Sequence, residues 1–102
     1  MTAALDALVA AVDAALGDTS LANDRDRAEA MRPAMAALLA AEEPIAATGR
    51  EALDGAAVGN LLYADPDGRF HVLAVVFPAG TSSGIHHHGC WEIGRASCRE
   101  RV

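Results

Sequence analysis

No lysine occurs anywhere in the 102 residues, and eight arginines stand against fourteen acidic side chains, for a formal net charge of −6. A chain without a basic face has little to offer a phosphate backbone or an anionic lipid surface, which argues against nucleic acid or membrane as partner. The missing lysine and the abundant alanine read as coding bias from a GC-rich genome, not as function. Only two cysteines occur, Cys90 and Cys98, so no disulfide framework is expected. No apolar run approaches the ~18 residues a membrane-spanning helix needs. The opening Met1-Thr2-Ala3-Ala4 has neither the charged flank nor the apolar core of a secretory leader. A cytoplasmic protein is the expectation.

The last residues have an unusual reading. Ile93-Gly94-Arg95-Ala96-Ser97-Cys98-Arg99-Glu100-Arg101-Val102 is the translation, in order, of ATC GGA AGA GCG TCG TGT AGG GAA AGA GTG, a common short-read sequencing adapter, which continues into a TAG stop. The adapter's preceding bases, AG, fix the end of codon 92, so Glu92 keeps at most one native base and the native residue there is open. Residues 92–102 are therefore set aside as an adapter-derived tail before the fold is considered. Removing their three arginines and two glutamates takes the net charge from −6 to −7. It also leaves Cys90 as the one native cysteine. The reading implies a longer parent protein whose sequence continues past Trp91.

Residues 3–16 predict an amphipathic helix, with Leu5, Leu8, Val9, Val12 and Leu16 on one face and Gly17 as the residue after its C-terminus. Asp18, Thr19 and Ser20 supply loop and capping chemistry. A second helical stretch covers 24–42. Pro33 removes a backbone donor within it, which predicts either a kink or two helices over 24–31 and 33–42. Met31, Met35, Leu38 and Leu39 form its buried stripe, and Asp24 to Glu29 a solvated face. Residues 44–57 read as a connector with at most a turn of helix.

Residues 59–64 predict a strand, Asp65-Pro66-Asp67-Gly68 a hairpin turn, and 69–77 a second strand. The second strand places Phe70, Val72, Ala74 and Val76 on one side and His71, Leu73, Val75 and Phe77 on the other. With both sides largely apolar it should be covered on both. His71 reads as a structural histidine. Pro78-Ala79-Gly80 then turns the chain into Gly80-Thr81-Ser82-Ser83-Gly84-Ile85-His86-His87-His88-Gly89. In an extended segment alternate side chains share a side. His86 and His88 would then face one ion while His87 points away, and imidazole suits Fe, Ni, Cu and Zn.

Gly80 followed by His86-x-His88, together with the hairpin and strand before it and Trp91 after it, resembles the first motif of the cupins, in particular the thiol dioxygenase (cysteine dioxygenase-like) branch, over roughly residues 58–91. With the N-terminal helices read above over 1–43, the resemblance implies an α+β fold in which 44–91 form the first strands of an incomplete cupin (jelly-roll, double-stranded β-helix) barrel. It implies His86 and His88 as metal ligands, Fe(II) or another divalent metal as cofactor, a third histidine further along the parent chain, and a small thiol and O2 as the parent's substrates. The reaction implied is oxidation of the thiol sulfur to a sulfinate. A non-catalytic cupin that binds a metal or small molecule, a sensor or binding module, is the alternative. Glu92 stands where cupins often place a glutamate ligand, but its codon belongs largely to the adapter. Around Val58-Gly59-Asn60-Leu61 there is no arginine to hold a substrate carboxylate as in cysteine dioxygenases, and Asn60 is the nearest polar group. Cys90 reads as a small buried residue. The fragment itself is expected to lack turnover and to leave strand edges and apolar surface uncovered.

Overall fold

The computed structural model describes residues 2–41, 58–78, 80–81, 85, 88–90 and 92–94. The connector expected over 44–57, His86, His87, Trp91 and the end of the tail lie outside these residues. The described elements are two helices followed by a two-stranded antiparallel sheet, an α+β arrangement. By contacts the helices and the sheet belong to separate units.

Helix α1 spans Ala3–Gly17. Thr2 sits ahead of it in extended conformation and its Oγ1 accepts the Leu5 N–H at 3.2 Å, satisfying one of the donors that a helix start leaves open. The buried face is Leu5, Leu8, Val12 and Ala15. Val9 and Leu16, expected on that face, are half-buried at its margin. The expected C-terminal role of Gly17 is corrected. Gly17 is the last helical residue, and the cap is Asp18 at φ −90°, whose N–H reaches the Ala15 carbonyl. No left-handed residue is needed there. Asp18 closes the loop differently: its Oδ1 accepts from the Ser20 hydroxyl at 2.6 Å and the Ser20 N–H at 2.9 Å. Those two bonds, the hydroxyl's first, hold its carboxyl below the ordinary carboxylate range.

Helix α2 spans Asp24–Ala40 without a break. The two-helix reading around Pro33 is therefore corrected. Pro33 lies on the exposed side of the helix, where the loss of one backbone donor is most easily borne. Met31 and Leu38, on either side of it, are held by the buried face. Met35 and Leu39 are half-buried. Asn23 caps the start, its Oδ1 accepting the Asp26 N–H at 2.9 Å, and Asp24 and Asp26 put negative charge where the helix dipole favours it. Arg27 pairs with Asp24 and Arg32 with Glu29, each at 2.9 Å. These exposed pairs stabilise by a few tenths of a kcal/mol each. The helices pack on one another, and every buried apolar side chain among the described residues lies in them. The caps carry a checkable expectation. Thr2→Ala and Asn23→Ala should each lower stability by about 1 kcal/mol, seen as a lower midpoint in a far-ultraviolet denaturant titration. Unchanged midpoints in both would contradict it.

The sheet is one hairpin: β1, Val58–Ala64, pairs with β2, His71–Val76. The register runs from Val58 opposite Val76 to Leu61 opposite Leu73, then slips so that Tyr63 faces Val72 and Ala64 faces His71. Leu62 is the extra residue of a β-bulge. The slip brings Tyr63 and Phe70 together, ring centroids 5.6 Å apart. The second strand is shorter than expected, with Arg69 and Phe70 in the turn and Phe77 past its end. The alternation holds: Val72, Ala74 and Val76 are half-buried. The opposite side is not covered: it is apolar surface of the kind the fragment is expected to leave open, in place of the burial on both faces expected of the strand within a barrel wall. Leu61 is 63% exposed, and Leu73, Val75 and Phe77 are each 49% exposed.

The turn is built on Asp65. Its carbonyl accepts the Gly68 N–H at 2.9 Å and its own N–H donates to the Phe70 carbonyl at 3.0 Å. Gly68 takes φ +71°, a conformation that a side chain resists, as the sequence anticipates. The Asp65 carboxylate is buried and accepts from the backbone N–H of Arg69 at 3.0 Å, from its Nε at 2.9 Å and from its Nη2 at 3.1 Å. The Arg69 side-chain bonds, then its backbone bond, hold the Asp65 carboxyl below the usual range, against the opposing effect of desolvation. A carboxyl whose folded pKa is depressed contributes stability above its unfolded value, near 4, and loses it as pH falls through the lower folded value. Cross-strand NOEs of the hairpin should therefore be constant from neutral pH down to about 4 and weaken below it. In Asp65→Asn they should be weakened at every pH, with the acid transition gone. A wild-type acid transition retained in that variant would place it elsewhere.

Candidate metal site

The chain leaves β2 through a turn that the sequence foresees. Gly80 has φ +81°, and Thr81 donates its N–H at 3.1 Å and its hydroxyl at 2.6 Å to the Pro78 carbonyl. Glycine supplies the positive φ that this turn requires. Beyond it Ile85 is fully exposed. His86, the first expected ligand, lies outside the described residues. His88, the second, is described and exposed. The division between the two contact units falls between His87 and His88. The same-side arrangement of the two rings therefore rests on strand alternation in the sequence alone.

The Nδ1 of His88 pairs with the Glu92 carboxylate, both side chains about half exposed. A carboxylate on Nδ1 leaves Nε2 as the nitrogen a metal would take, the usual arrangement around ligating histidines. Glu92 falls in the stretch set aside from the sequence as adapter-derived, so this pair belongs to the chain of 102 residues and carries no ligand assignment. In solvent such a pair contributes about 1 kcal/mol or less. Among the described residues no three His, Cys, Asp or Glu side chains come together as a metal would need. Two imidazoles fit Fe(II) in kind. In number two donors fall short of a site, and the described residues supply no group of three.

The remaining polar groups of the resemblance have other duties. The Asn60 amide donates to the Ala74 carbonyl across the hairpin at 3.1 Å and, at 3.5 Å, to the Val58 carbonyl. His71 is exposed at the start of β2. Cys90 is a free, exposed thiol, which corrects its reading as a small buried residue. The Asp65–Arg69 clasp was not anticipated. An aspartate opening a turn, with an arginine four residues on and a glycine between, is the signal that could have disclosed it. A cleft of about 310 Å³ lies against α2, lined by Ala28, Glu29, Arg32, Met35, Ile93 and Gly94. Two of those six residues, Ile93 and Gly94, fall in the stretch set aside from the sequence as adapter-derived. No helix of the described residues is long and apolar enough to cross a membrane. Compared with protein-family models, with curated proteins and with solved structures, the chain matches none.

Proposed function

We propose that the chain is the N-terminal part of a metal-dependent cupin, a non-haem iron thiol dioxygenase, and that His86 and His88 are two of its iron ligands. One observation carries the reading: the β1–β2 hairpin runs through a glycine turn at Gly80 directly into His86-x-His88. The hairpin's open face of Leu61, Leu73, Val75 and Phe77 supports it, since a strand of a closed barrel needs cover on that side. Fe(II), when bound, would activate O2 for transfer of both its oxygen atoms to the thiol sulfur, giving a sulfinic acid. The chain's part is to hold two corners of the ion and to keep His87 out of its coordination. Its third ligand would lie in the parent sequence past Trp91.

The alternative, a cupin that binds a metal or small molecule without turnover, is favoured by one observation. No arginine occurs at 58–61, and the amide of Asn60 is engaged with backbone carbonyls of its own hairpin. The substrate-carboxylate anchor of cysteine dioxygenases is thus missing. Recovering the source gene past codon 91 and expressing the full protein tests both readings. The dioxygenase predicts a further histidine, about one iron per chain, and thiol-dependent O2 uptake with sulfinate as product. Iron or another metal without O2 uptake over a panel of small thiols would favour the binding module. No further histidine and no bound metal would remove both metal readings.

A further inference from the structure

We draw no further inference here: the strongest candidate, the open apolar face of the β1–β2 hairpin formed by Leu61, Leu73, Val75 and Phe77, carries nothing beyond the proposed barrel because nothing in the structure shows what covers it.

Discussion

On the proposed reading, His86→Ala and His88→Ala in the full-length parent should each lower iron retention by more than about 100-fold, while His87→Ala should leave it within a few-fold of the parent. The asymmetry follows from the two-residue period of an extended chain. If the segment is extended, positions 86 and 88 would share a side and position 87 would take the other, so the three adjacent histidines would not be equivalent donors. Loss of groups that merely orient ligands already weakens a metal site by roughly 10–100-fold. Loss of a ligand itself should cost more, because the remaining donors no longer enclose the ion. Iron per chain after desalting, with equilibrium competition against a chelator of known affinity, reads the effect directly. O2 uptake follows it only if the dioxygenase reading holds, so the two readouts separate metal binding from catalysis. Equal losses in all three variants would mean that the segment is not extended there. No loss in any would remove His86 and His88 as ligands. On the proposed reading, which puts the third ligand past Trp91, the chain of 102 residues should retain iron weakly and show no turnover.

Short-range chemistry in this chain is well written in its sequence. Helix starts, strand alternation and both glycine turns depend on a few neighbouring residues, and Gly68 and Gly80 take the positive φ that their turns require. The misreadings arise where a local rule meets its surroundings. Pro33 breaks a helix in isolation, yet α2 runs through it because the buried side chains Met31 and Leu38 bracket it while its ring faces water. Gly17 could have ended α1 in the left-handed region, but Asp18 ends it in an extended one and spends its side chain on Ser20. Burial is less legible still. Alternation sorts β2 into two faces correctly, but it cannot state that one face lacks a cover, since the cover would come from residues distant in sequence. The same distance limits the proposed metal site. A pair of candidate donors two residues apart can be read from ten residues, whereas on the proposed reading its completion would depend on strands that a local pattern does not contain.

Leu8→Ala should unfold most of the helical unit in the chain of 102 residues. Leu8 is 3% exposed and lies at the middle of α1's buried face, between Leu5 and Val12. Replacing a buried leucine by alanine costs about 2–5 kcal/mol, from lost transfer energy and from the cavity left behind. A whole domain is stable by only about 5–15 kcal/mol, and small units fall at or below the lower end because they bury a smaller share of their surface. Here two helices of 15 and 17 residues share six buried apolar side chains. Isolated helices of this length are marginal in water, so neither survives the loss of its partner. Far-ultraviolet ellipticity at 25 °C should therefore fall by more than half in Leu8→Ala, without a resolvable melting transition. Ala14→Ser, on the exposed side of the same helix, removes no buried surface and should cost about 0.5 kcal/mol through propensity alone. It therefore controls for any substitution in α1. If Leu8→Ala melted within a degree or two of Ala14→Ser, the α1–α2 contact would not be what holds the helices. The stability of the pair would then have to come from their own propensities and caps.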